Sequence, residues 1–221
     1  MVKERSAGET RIYALITVFF VIIIFLTILF SNNNLELAYV SHSVLGSEWQ
    51  EDLDERTIDS HFLNIEKFGR LVYRANGNYP AYLSITTIKS LFMVGEDDLQ
   101  KKITDAIEQT TGEDVILDND SKLLGRRTLE NDHESLFIIY NGTDTSSIKN
   151  ENIRIIGEVW NCGISGTSII CIGYAQITDN THNNSIVFFD NWVKIIKDGA
   201  GTFGTDLFKG NDGLIANVIC H

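Results

Sequence analysis

Cysteine, proline and basic charge are all scarce in this 221-residue sequence, and each shortage removes a class of protein. Three cysteines, Cys162, Cys171 and Cys220, permit at most one intramolecular disulfide and leave one thiol over, so a disulfide-framed scaffold is excluded. Pro80 is the only proline, and nothing of its kind interrupts the chain before the turn-forming Asn76, Gly77, Asn78 and Tyr79. Lys and Arg number 18 against 30 Asp and Glu, for a net charge of −12. Such a chain offers no basic stripe for phosphate contacts, and nucleic-acid binding is set aside. Internal repeats and low-complexity tracts are missing as well.

Catalytic and metal-binding spacings are equally absent. His42, His61, His133, His182 and His221 are scattered singly, without the His-x-Glu, His-x-x-x-His or Cys-x-x-Cys spacing that would hold an ion. Cys220 and His221 are adjacent, but two neighbouring ligands at a fraying chain end read as a poor site. The acidic clusters at Glu96, Asp97 and Asp98 and at Asp118, Asn119 and Asp120 lack the alternation of a calcium loop and read as helix-start or turn residues. Ser165 or Ser168, His133 or His182, and Asp190 supply a Ser/His/Asp set only on paper. No enzyme activity, catalytic residue, metal ligand or cofactor is therefore assigned.

What is present begins with an apolar run. From Ile12 to Phe30 there are 19 uncharged residues, a helix of about 28 Å and thus close to bilayer thickness. A buried core helix would seldom be apolar on every face, and a cleaved signal is disfavoured by the length and by the Ser31, Asn32, Asn33, Asn34 sequence that follows. Lys3, Arg5 and Arg11 precede the run, and no Lys or Arg follows it before Arg56. The expectation is a signal-anchored, single-pass protein of the cell membrane, with a cytoplasmic N-terminus and an extracytoplasmic C-terminal domain.

Between Leu35 and Val72, apolar residues including Leu45, Trp49, Leu53, Ile58, Phe62, Ile65 and Phe68 recur mostly at steps of three and four, the stripe of an amphipathic helix. A second helix is expected from Asp97 or Asp98 to Thr111, capped by Gly112. Beyond residue 115, stretches 136–140, 153–160, 167–177, 185–189 and 192–196 are rich in β-branched and aromatic residues and separated by polar turns. They imply an antiparallel meander. The expected fold is α+β: leader 1–11, transmembrane helix 12–30, amphipathic helical stalk 31–76, and an α+β domain with an antiparallel sheet over 77–221.

Cys162 and Cys171 flank a glycine-containing stretch and form the candidate disulfide; the alternative of a thiol nucleophile is disfavoured by the apolar surroundings of Cys171. Asn119, Asn141 and Asn183 begin Asn-x-Ser/Thr triplets and are candidate N-glycosylation sites. Trp49, Trp160 and Trp192 read as core residues. Gly199, Gly201 and Gly204 match G-x-G-x-x-G, but too little chain follows for a nucleotide fold.

The short basic leader ending at Gly8, the uncharged helix, the amphipathic extension and the sheet together resemble the layout of type IV pilin-like proteins. The resemblance implies processing between Gly8 and Glu9 and assembly through the apolar helix. Ala7 and Tyr13 depart from the residues usual in that family at their positions. The expected function is that of a membrane-anchored structural or interaction protein of the cell surface, held by membrane lipid through Ile12 to Phe30 and associating with itself or another membrane protein. An accessory subunit of a larger membrane complex is the alternative, and an extracytoplasmic hydrolase the third.

Overall fold

The computed structural model describes residues 16–23, 35–61, 66–90, 93–129, 131–146, 150–179, 186–187, 189–196 and 213–221. The chain divides into a unit ending at Asn34 and a second unit from Leu35 to His221. In the first, the described residues form helix α1 (16–23), whose side chains are exposed. Among the described residues no helix is long and apolar enough to cross a membrane. That finding overturns the expected span from Ile12 to Phe30. The signal anchor, the single-pass cell-membrane placement and the pilin-like layout all depended on that span and fall with it. Gly8 and Glu9, and residues 12–15 and 24–30 of the run, lie outside the described residues.

The second unit is mostly antiparallel β structure. In chain order it contains β1 (Tyr39–Val40), α2 (His42–Leu45), β2 (Trp49–Glu51), β3 (Thr57–His61), β4 (Glu66–Ala75), β5 (Ala81–Lys89), α3 (Glu96–Thr111), β6 (Val115–Thr128), β7 (Glu134–Asp144), β8 (Glu151–Cys162), β9 (Thr167–Gln176), β10 (Thr178–Asp179), β11 (Ile186–Val187), α4 (Asp190–Ile196) and β12 (Val218–Ile219). Turns of 3₁₀ helix occupy Leu53–Glu55 and Ile215–Asn217. The principal sheet runs β2-β4-β5-β9-β8-β7-β6, with β3 also on β4. Strands β6 to β9 form a meander of hairpins, the topology that short polar turns dictate. Helix α3 carries the chain from β5 to the far edge, so that β9 returns to pair with β5.

Each face of the sheet builds its own core. On one face Ile103 and Ile107 of α3 pack with Ile138, Ile153, Ile155 and Val159. On the other, Trp192, Ile195 and Ile196 of α4 join Trp49, Ile85, Ile139 and Trp160. Two glycines permit these helices to sit close. A Cβ on Gly157 would lie 2.2 Å from Ile103 Cγ2, and one on Gly173 would lie 2.6 Å from Ile195 Cγ2.

Among the described residues of the helical stalk expected over 31–76, strands β1 to β4 with the four-residue α2 and one 3₁₀ turn stand in its place. Leu71, Val72 and Tyr73 are all buried because β4 is covered on both faces. Burial on both faces erases the alternation by which a strand is recognised and leaves spacings that mimic a helix. Residues 192–196 correct the reading in the opposite direction. They belong to helix α4, whose buried Trp192, Ile195 and Ile196 stand at helical spacing. The second helix and Gly112, with φ +61°, lie where expected.

Candidate metal centre

Four side chains converge at the end of the sheet where β8 finishes. Cys162 is the last residue of β8 and pairs with Thr167 across a tight turn, which Gly166 closes with φ +65° and an N–H donated to the Cys162 carbonyl at 2.9 Å. His133 stands at the neighbouring β6–β7 connection. There Asp132 adopts a φ of +61° and donates its N–H to the Leu129 carbonyl at 3.1 Å, while the Leu129 N–H reaches the His133 carbonyl at 2.9 Å. Asp is among the few residues other than glycine that tolerate this left-handed conformation. Cys220 and His221 follow β12, which pairs with β1; the Asn131 side chain donates to the Val218 carbonyl at 3.2 Å and ties this segment to the β6–β7 turn.

The ligand atoms of His133, Cys162, Cys220 and His221 all lie within 4.8 Å of one another. Cys220 Sγ is 3.2 Å from His133 Nε2 and 3.6 Å from His221 Nδ1, and Cys162 Sγ is 3.5 Å from the same His221 Nδ1. Zinc held tetrahedrally, with bonds of about 2.3 Å to sulfur and about 2.0–2.1 Å to nitrogen, requires sulfur-to-nitrogen edges of about 3.5–3.6 Å. The observed edges match that figure within a few tenths of an ångström. Cys162 and Cys220 are buried, His133 is half-buried and His221 is exposed.

Electrostatics favour shedding a proton here. Burial opposes ionisation of Cys162, but hydrogen bonds from Cys220, from the hydroxyl and N–H of Ser165 and from His221 override it and bring its thiol down to about 7. Burial and the neighbouring Cys162 push Cys220 up to about 12, against a smaller lowering by the Trp160 indole. Burial, and next the charge of His221, hold His133 below its ordinary value. Cys162 thus gives up its proton more readily than Cys220. A divalent cation would take the proton's place.

Cys171 takes no part in this set. It lies on β9 opposite Glu158, fully buried, and burial raises its thiol well above the ordinary range. All three cysteines are free thiols, and the strand register sets Cys162 against Thr167 rather than Cys171. Asn119 is exposed at the irregularity of β6 between Asp118 and Leu123. Asn141 lies half-buried on β7, with its Oδ1 accepting from Arg154 Nε at 3.3 Å. Asn183 and the glycines at 199, 201 and 204 lie outside the described residues. Trp49, Trp160 and Trp192 are core residues.

Sequence spacing misses the four-ligand set because His133 is 87 residues from Cys220 and Cys162 is 59 from His221, and only the meander together with the pairing of β12 on β1 unites them. The usable signal was the adjacent Cys220 and His221 together with a cysteine left without a partner.

A cavity of about 560 Å³ opens beside Cys220 and His221. A larger one, about 820 Å³, lies between α3 and strands β4 and β5, with Phe68, Arg70, Arg74, Tyr82 and Lys102 in its wall. Its guanidinium groups are engaged. Arg70 donates to Ser84 Oγ at 2.7 Å and pairs with Glu55 at 3.8 Å, while Arg74 pairs with Asp52 at 2.7 Å and with Glu55. No family model, no curated protein and no solved structure matches this chain.

Proposed function

We propose that this chain is a metal-stabilised structural or interaction protein, whose sheet domain is closed by one zinc-type cation on His133, Cys162, Cys220 and His221. The convergence of the four ligand atoms within 4.8 Å carries the reading. Two soft thiolates and two imidazoles gathered in one cluster suit zinc above magnesium or calcium, which prefer oxygen. Four protein ligands fill the coordination shell and leave no open position for a substrate, so the centre fits a fastening role rather than a hydrolytic one. What it fastens is the segment 213–221: the cation would tie Cys220 and His221 to the start of β7 and the end of β8.

The test is metal content. The full chain, purified with its thiols reduced, is dialysed with zinc and then against metal-free buffer, and bound zinc is counted by elemental analysis and native mass spectrometry. One equivalent per chain is expected, lost in Cys220→Ser and His133→Ala and retained in Cys171→Ser. A fully reduced, folded chain that binds no zinc overturns the reading.

A further inference from the structure

We propose that Cys162 and Cys220 are also a modification site: peroxide converts the two metal-bound thiolates into a Cys162–Cys220 disulfide and releases the cation. This rests on the metal-binding reading above and adds to it a chemistry that a purely structural centre lacks.

The geometry supplies each requirement. Zinc neither gives nor takes electrons, so oxidation of the centre must occur at sulfur. Both sulfurs belong to one cluster whose ligand atoms are mutually within 4.8 Å, and the Cys162 thiol already reaches the Cys220 carbonyl at 3.6 Å. A disulfide needs the sulfurs at about 2.05 Å, a closure to which the short segment after β12 can contribute. The third thiol, Cys171, is outside the cluster and fully buried against Glu158. Entry is provided by the cavity of about 560 Å³ that is lined by Cys220 and His221, the latter exposed. That space admits a molecule as small as hydrogen peroxide.

The reaction balances with peroxide as the oxidant. Cys220 sulfur, which lines the cavity, attacks one peroxide oxygen, the O–O bond breaks, hydroxide leaves and a sulfenic acid forms. Cys162 sulfur then attacks Cys220 sulfur, the S–S bond forms and the sulfenic oxygen leaves as a second hydroxide. Two thiolates have given up two electrons and one peroxide has accepted them. Only His133 and His221 remain as ligands, and two neutral imidazoles hold a cation far more weakly than the full set. The new bond joins the end of β8 to the segment after β12, so the same fastening survives in covalent form.

The experiment uses the full zinc-loaded chain. Uptake of zinc is measured first; peroxide is then titrated in with a colorimetric zinc chelator present, and the thiols are alkylated under denaturing conditions and mapped by mass spectrometry. Loss of bound zinc in step with a Cys162–Cys220 disulfide is expected, with Cys171 still alkylated and zinc binding restored by dithiothreitol plus zinc. Retention of zinc under excess peroxide overturns the inference. So does release accompanied by sulfinic acid alone or by a disulfide through Cys171, and in these cases the metal reading stands. A reduced chain that takes up no zinc at the first step overturns both.

Discussion

Glu158 is fully buried, and a carboxylate in that position needs a cation and hydrogen bonds to remain charged. Arg127 supplies both, with Nε 2.7 Å from Oε1 and Nη2 2.5 Å from Oε2, and the Ser135 hydroxyl donates to Oε1 at 2.5 Å. Arg127→Ala would strand the charge, and is expected to cost about 3–5 kcal/mol. The cost would be read as a lower urea midpoint at unchanged slope, with Arg127→Met/Glu158→Leu losing less than the single variant. A wild-type midpoint for Arg127→Ala would show that the pair does not bear on stability. Tyr82 makes a pH-dependent prediction. It stacks on Tyr174 with ring centroids 5.0 Å apart, and burial raises its phenol from 10.0 to about 12. The native phenol stays neutral where the unfolded one ionises. Its contribution is therefore complete below pH 10 and is lost as pH climbs from 10 toward 12. Urea unfolding on either side of that interval should show the decline, reduced in Tyr82→Phe; an equal decline in the variant would contradict the assignment. Neither Glu158 nor the four-ligand set was legible beforehand. A buried Glu inside an apolar strand looks like any polar interruption, and His133 and Cys162 acquire meaning only when the β6–β7 and β8–β9 turns are laid side by side.

Among the elements, the approach of the helices to the sheet rests on small residues. Gly157 lies under α3 and Gly173 under α4, and the adjoining residues face them in the β8–β9 register. Gly157→Val is expected to push Ile103 and Ile107 off the sheet and cost about 1–3 kcal/mol, an overpacking penalty. Thermal unfolding checks it, and a variant as stable as the parent would mean that α3 does not pack at that point. Elements were legible where one face or one period dominates. The meander of β7 to β9 and helix α3 follow from β-branched runs, polar turns and an acidic first turn. Strand β4 was not legible, because Leu71, Val72 and Tyr73 are buried together. Helix α4 was missed because its apolar, β-branched composition resembles a strand, and only seven residues express the helical period. Strand β6 was missed for a different reason: its burial alternates between half-buried and exposed, and its acidic stretch at the register shift reads as a turn.

At the scale of the whole molecule, two segments distant in sequence are packed against one face of the sheet: the stretch around β1 and α2, and the residues from Leu214 to His221. A cation that binds only the folded arrangement stabilises it by about 2.7 kcal/mol at a free concentration one hundred times its Kd. A strong chelator should therefore lower Tm by several degrees in the parent and leave Tm of Cys220→Ser unchanged. Equal responses in the two would show that chelation acts elsewhere. The charge of −12 and the apolar composition said little about this closure, since both describe the chain as a sum whereas the centre depends on where two turns and the segment after β12 meet. The most direct measurement is the visible spectrum of the full chain titrated with cobalt(II) in place of zinc. The account predicts saturation at one equivalent, with the strong ligand-field bands of a tetrahedral ion and a thiolate-to-cobalt charge-transfer band of two-sulfur intensity, both abolished by added zinc. The weak spectrum of six-coordinate cobalt, with no charge-transfer band while all three thiols remain reduced, would contradict it.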